Sequence, residues 1–175
     1  MKAVDPGFSD PLETFEVHWY SGAAAAIRGI PSSSDAKMDP GLLEIAERGR
    51  GYSGQDLLVA AQRRADLATR MSLFHEEVDV LITPTLPIPA FTSGREVPED
   101  WAHVRWMTWT PFTYPFNLAQ QPAVTVPNGL TAAGLPIGLQ LVGAKYADVL
   151  VLRAAHAFEE TVATDRRPPL LTCGQ

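Results

Sequence analysis

Apolar positions recur at helical spacing through the first 77 residues and at strand spacing in short runs after them. Within Asp10–Arg28, Leu12, Phe15, Trp19, Ala23 and Ala26 fall on one side of a helix that Gly29 and Pro31 end. Ser32–Asp35 reads as a loop. Asp39 followed by Pro40 is an N-cap with proline at the first helical position, so a short helix over Gly41–Arg48 follows, closed by Gly49 and Gly51. The clearest element runs from Gln55 to Glu77. Gln62, Arg63, Asp66, Thr69, Arg70, Glu76 and Glu77 share one sector of the helical wheel, the solvent face. Leu57, Ala60, Ala61, Ala65, Ala68 and Met71 lie opposite, with Arg64 in the middle of their stripe.

The second half changes period. Val78–Thr83 is a short β-rich apolar run stopped by Pro84, the pattern of a buried strand. The segment after it carries Pro84, Pro87 and Pro89 and excludes regular structure. A tryptophan-rich stretch, Trp101 to Trp109, leads into Thr110–Ala119, which reads as a short helix. Val124–Val126 and Ile137–Val142 are further strands, and Asn128-Gly129 between them predicts a hairpin turn. Ala147–Ala163 is a helix with Leu150, Val151, Ala154, Ala155, Phe158 and Val162 on one face and Arg153, His156, Glu159 and Glu160 pointing away. Helices, then strands with irregular links, then a helix give an α/β or α+β class, without internal repeats.

Composition narrows the chemistry. The 175 residues are 46% hydrophobic, and the net charge of −6 comes from interspersed acids and bases. One well-packed soluble domain is expected, and no basic face points to nucleic acid. The single cysteine, Cys173, rules out an internal disulfide and makes the cytoplasm the expected location. His18, His75, His103 and His156 lack metal-ligand spacing, so neither metal nor cofactor is expected. No apolar run approaches the roughly 20 residues of a membrane helix, and the N-terminus lacks a signal-peptide core. The 15 prolines concentrate between Pro84 and Pro136, where long ordered loops are expected to line a site.

No complete catalytic motif is present: no GxSxG, no phosphate-cradling glycine loop, no HExxH. Ser32-Ser33-Ser34 lacks a glycine scaffold and reads as a solvated turn. His75 shares Arg64's face at the helix end and reads as a packed or capping residue. The aromatic cluster of Trp101, Trp106, Trp109, Phe112, Tyr114 and Phe116 is either an acyl- or aryl-binding wall or plain packing.

Three ordered strings carry a resemblance. DVLITPTLPIPA from Asp79, NLAQQPAVTVP from Asn117 and GLPIGLQLVG from Gly134 resemble the end of an amidase-signature enzyme, and the likeness extends over the whole chain. The resemblance implies the C-terminal part of an α/β amidase-signature fold, a mixed β-sheet covered by helices, with residues 1–175 forming a single C-terminal subdomain. It also implies that the serine nucleophile, the cis-peptide serine and the lysine base of that family belong to an upstream region absent from this chain. No catalytic residue is therefore assigned. Lys37 stands in a loop without a serine partner pattern, and a serine without a positioned base is a poor nucleophile. The implied activity is hydrolysis of carboxamide (non-peptide C–N) bonds, with this piece supplying sheet and substrate channel and inactive alone. The alternative is a non-catalytic module or subunit that binds a separate N-terminal half. The expected partners are a small-molecule amide in the complete enzyme and either self-association or an N-terminal half, with neither nucleic acid nor membrane. Apolar strands left without their neighbours motivate the association.

Arg64, Asn117 and Trp109 are the candidate substrate-binding residues. In the family's glutamine-using members, the A subunits of tRNA-dependent amidotransferases, an arginine at the position of Arg64 holds the substrate carboxylate; the rival reading is an internal ion pair or a side chain that reaches water. Asn117 is set either to bond loop backbone or to touch substrate. Ala133 stands where those glutamine users carry an acid before Gly-Leu-Pro, which implies a general amidase. Gln120 stands where many relatives have glycine, so a turn of different shape after Asn117 is expected.

Overall fold

The computed structural model describes residues 2–161. Val162 and Ala163, expected at the end of the last helix, and Cys173 lie outside the described residues. The chain divides into two compact units: one holds the chain up to Glu77 with Tyr114–Gln120, the other Val78–Thr113 and the chain from Gln121 onward.

The first unit is helical: α1 (Leu12–Ala26), α2 (Pro40–Arg50), α3 (Gly54–Phe74) and α4 (Tyr114–Ala119), with a 3-10 turn over Ser32–Lys37 where a loop was expected. The caps follow the local chemistry. Asp39 accepts a hydrogen bond from Leu42 N at 3.0 Å and Pro40 opens α2. At the start of α3, Ser53 Oγ accepts from Asp56 N at 3.2 Å while Ser53 N donates to Asp56 Oδ2 at 2.7 Å. The Ser53 hydroxyl also donates to Asp56 Oδ2 at 2.7 Å, and this bond, followed by that from the Ser53 N–H, holds the Asp56 carboxyl below its ordinary pKa.

Two expectations for this unit are corrected. Helix α1 buries Thr14, Phe15, Val17 and Tyr20, whereas Trp19 is 45% exposed. α1 is packed by α2, α3 and α4 from different sides, so its burial is not one narrow stripe. Phe15 stacks on Tyr114 with centroids 5.2 Å apart, and Tyr20 lies under the Arg48 guanidinium at 4.7 Å. The second correction is Gly49, which does not close α2 but lies inside it. A Cβ there would stand 1.9 Å from the carbonyl oxygen of Tyr20, so α1 and α2 touch backbone to backbone at this point.

In the second unit, β1 (Val80–Pro84), β2 (Ala123–Leu130) and β3 (Pro136–Gly143) form a three-stranded sheet in the order β1-β3-β2. Its pairings within the chain are antiparallel, where a mixed sheet was expected. Pro84 joins the end of β1 rather than stopping it, which an edge strand tolerates. Helix α5 (Asp148–Thr161) sets Val151 and Ala155 against Val126 and Leu141, on one face of the sheet. Val142, on the opposite face of β3, is fully buried, so the end of the central strand is covered on both sides.

The hairpin forms, but its turn lies elsewhere than expected. The register of β2 on β3 shifts between Pro127 and Leu130, with Gly129 at φ 102, so Asn128-Gly129 is a bulge. The chain reverses over Thr131–Leu135: Thr131 N donates to Leu135 O at 2.8 Å and Gly134 adopts φ 81. Among the described residues no helix is long and apolar enough to cross a membrane.

Candidate functional site

A cleft of about 750 Å³ lies within the sheet-bearing unit. Its rim is the irregular segment Thr85–Phe91, its far side is β2 with the start of β3, and Trp109 stands over it. Pro87, Pro89, Pro127 and Pro136 are among its lining residues, which fixes much of the surrounding backbone. None of the residues lining the cleft is charged.

Trp109 is placed by two contacts. Its indole Nε1 donates to Glu96 O at 3.0 Å, and its ring meets Phe91 edge-on with centroids 5.5 Å apart. The donor is spent on the protein, which leaves the ring to act as an apolar surface. Trp101, by contrast, donates to Thr108 Oγ1 at 2.8 Å and does not line the cleft.

Sequence reasoning missed the floor of the cleft. Thr85 Oγ1 donates to Thr125 Oγ1 at 3.2 Å. Thr125 belongs to β2 and Thr85 follows β1, so the pair bridges two strands that are not neighbours, over the central strand at Gly138. A Cβ at 138 would lie 2.6 Å from Thr85 Oγ1 and 2.9 Å from Thr125 Cγ2. The available signal was the second glycine of GLPIG, which reads in sequence only as a break in a strand. Beside it Gln140 is 4% exposed and donates to Thr83 Oγ1 at 3.0 Å and Phe112 O at 2.7 Å. Both amide donors of Gln140 are thus spent on the scaffold.

Arg64 and Asn117 belong to the helical unit. Helix α3 buries Ala60, Leu67 and Met71, whereas Leu57, Ala61 and Ala65 of the expected stripe are exposed. The buried face is thus narrower than expected, and Arg64 at its margin is half-buried. Its Nε donates to Leu118 O at 3.0 Å, and no carboxylate of the described residues pairs with it. The internal ion pair is thus not formed among the described residues, and the two terminal nitrogens keep their donors. Asn117 is exposed; its carbonyl accepts from Gln120 N at 3.2 Å. Gln120 adopts φ 58, the left-handed region that glycine takes without cost, so the turn keeps a glycine-type shape despite the substitution. Tyr114, at the start of α4, donates to Asp10 Oδ1 at 2.5 Å, and burial together with that carboxylate pushes its pKa up. Ala133 is exposed in the hairpin turn. His75 caps α3 and meets Phe74 edge-on at 5.2 Å. The described residues hold no cluster of His, Cys, Asp or Glu suited to a metal ion.

Comparison with known proteins gives consistent matches. The Amidase family model matches residues 21–152. The chain is 47% identical over 113 residues to the A subunit of the glutamyl-tRNA(Gln) amidotransferase from Geobacter metallireducens, covering 65% of this chain and 23% of that protein. It is 37% identical over 160 residues to an acylamidase of Rhodococcus erythropolis, covering 88% of this chain and 33% of that protein. Among solved structures, 6-aminohexanoate cyclic dimer hydrolase complexed with substrate superposes with a TM-score of 0.81 at 24% identity, over 95% of this chain and 38% of that one. The chain therefore spans about a quarter to two fifths of the length of these relatives.

Proposed function

Since the chain belongs to the amidase family, we propose that it is the C-terminal subdomain of an amidase that hydrolyses carboxamide bonds, supplying part of the substrate channel and no catalytic group. The observation that carries the substrate side of this reading is the uncharged cleft under Trp109. An apolar cleft with an aromatic wall favours the acyl or aryl group of a neutral amide over an amino acid, whose charges it would strip of water without compensation. Ala133 agrees with a general amidase rather than an amidotransferase subunit, because an uncharged turn offers no counter-ion to an ammonium group.

Trp109 serves as the wall for that group. In the helical unit, taken by itself, Arg64 keeps donors for a substrate oxygen after its bond to Leu118 O, and the exposed Asn117 amide is open to a ligand. Catalysis requires a nucleophile and base from outside this chain. Purified residues 1–175 should turn over neither acetanilide nor glutamine. Turnover blocked by a serine-directed phosphonate would overturn the reading. In the complete enzyme acetanilide should be the better substrate, and a preference for glutamine would place it with the amidotransferase subunits.

The edges of β1 and β2 lack strand partners among the described residues, and α3 exposes Leu58 and Leu73 at 74% and 59%. Apolar surface and open edges of this kind favour association, with a second copy or with an N-terminal half. Light scattering on the isolated chain tests this; a monomer at high concentration counts against it.

A further inference from the structure

The Thr85–Thr125 pair links the end of β1 to β2 across the central strand and still leaves one hydroxyl proton unused. Both residues follow the sheet face that carries Gln140, and Gln140 already satisfies the neighbouring Thr83. Thr85 is tied to the central strand by its own N–H, which donates to Gly138 O at 3.0 Å. With Thr85 donating to it, the Thr125 hydroxyl retains one proton and has no further partner among the described residues. Thr125 is exposed and lines a cleft otherwise formed mainly by prolines and apolar side chains. Gly138 keeps the space above the pair clear, since any side chain there would collide with both hydroxyl-bearing residues.

We infer that Thr85 and Thr125, held over the bare backbone of Gly138, are the polar anchor of the cleft, with the Thr125 hydroxyl donating to an oxygen acceptor on a neutral aryl or alkyl ligand. The inference rests on the cleft being a substrate site. Thr85 acts through Thr125: by donating to it, Thr85 directs the remaining proton away from itself and toward the ligand. One donor in an apolar setting selects for an acceptor at a defined place and rejects an isostere that lacks it, because the hydroxyl would then lose its water without replacement. The same donor gives a carboxylate too little to offset its desolvation.

The test is nuclear magnetic resonance titration of the full 175-residue chain with acetanilide and with isobutylbenzene, which matches its size and shape but has no acceptor. Both should shift the Trp109 indole and Phe91 signals, and acetanilide should bind about five- to tenfold more tightly. Thr125→Val should abolish that preference while isobutylbenzene still binds, and Thr125→Ser should restore it. Equal affinities in the unmodified chain, or a preference that survives Thr125→Val, would overturn the anchor and leave the cleft reading standing. Failure of both ligands to shift those signals would overturn the cleft reading and the anchor with it.

Discussion

The two units handle buried polarity in opposite ways. The helical unit pairs its largest polar-tipped side chains from within, Tyr20 with Glu16 at 3.2 Å, Tyr114 with Asp10 and Arg64 with Leu118 O, although His18 Nε2 and Ser21 Oγ are buried without a hydrogen-bond partner among the described residues. The sheet unit uses both amide donors of Gln140 and then leaves an uncharged cleft open to the outside. Satisfied interior polarity fixes one packing arrangement. An open apolar cleft with a spare hydroxyl is poised for a ligand. The chemistry proposed for this chain therefore rests chiefly on the second unit, and the first is read mainly as scaffold.

Glycine substitutions give the strongest test of that contrast. Gly49→Ala places a Cβ against the Tyr20 carbonyl, an obstacle made of backbone that cannot rotate aside. Destabilisation of about 3 kcal/mol is expected in urea titration. Gly138→Ala meets the ends of two threonine side chains instead, and these can turn. It should cost about 1 kcal/mol but displace the Thr85 hydroxyl and so weaken acetanilide binding. If the two variants lost equal stability, the scaffold-and-cleft distinction would be wrong at its most direct point.

Arg64→Met comes between them. Removing the guanidinium leaves Leu118 O without its donor, and about 1 to 2 kcal/mol should be lost, because the site is only half-buried and water can partly replace the bond. In the complete enzyme a rise in KM with kcat unchanged would assign Arg64 to substrate binding. Unchanged kinetics alongside that stability loss would make it scaffold like its neighbours.

The helical unit was the more legible in sequence, yet its errors are instructive. Asp39-Pro40 and the helical period of α3 were readable because caps and 3.6-residue periodicity are local properties. The buried face of α1 was not, since three helices pack on it and no single stripe describes that. Gly49 looked like a helix end because a glycine required by a crossing helix and one required by a left-handed turn read alike. In the sheet unit, Asn128-Gly129 signals positive φ correctly, but positive φ serves a bulge as well as a turn. The floor of the cleft was hidden for a different reason. Thr85, Thr125 and Gly138 meet only through strand order, with β3 inserted between β1 and β2. Trp109 was legible as a wall candidate, because a concentration of aromatics beside fixed, proline-rich backbone is visible without topology.

Alkaline pH probes the interior polarity of the helical unit alone. Burial, and then the nearby Glu16 carboxylate, raise the Tyr20 pKa to about 12. The unfolded phenol titrates near 10, so the folded state holds its proton more tightly. The stability this contributes is fully present below about pH 10 and is lost as pH rises through about 12. Tyr20→Phe should make that part of the pH–stability curve less steep, at the cost of the hydrogen bond to Glu16, with the remaining slope coming from Tyr114 and Tyr52, whose pKa values burial also raises. A wild-type curve already flat over this range would mean that the phenol is not buried as described.

The smallest expected effect lies where the chain leaves the helical unit for the sheet unit. Gln120 is the last residue of the first, and it takes φ 58 with a side chain attached. The left-handed conformation costs a non-glycine residue about 1 to 2 kcal/mol, and glycine escapes that cost. Glycine also gives the unfolded chain more freedom, which returns roughly 0.5 to 1 kcal/mol of the gain. Gln120→Gly should therefore stabilise the chain by only about 0.5 kcal/mol, seen as a higher urea midpoint at unchanged slope. Gln120→Ala separates backbone from side chain: it keeps the Cβ and the same φ, so it should gain nothing. If glycine is instead less stable than glutamine and alanine falls with it, the Gln120 side chain more than offsets its backbone cost. The turn after α4 would then be held by side-chain contacts, as the helical unit is, and not by backbone geometry.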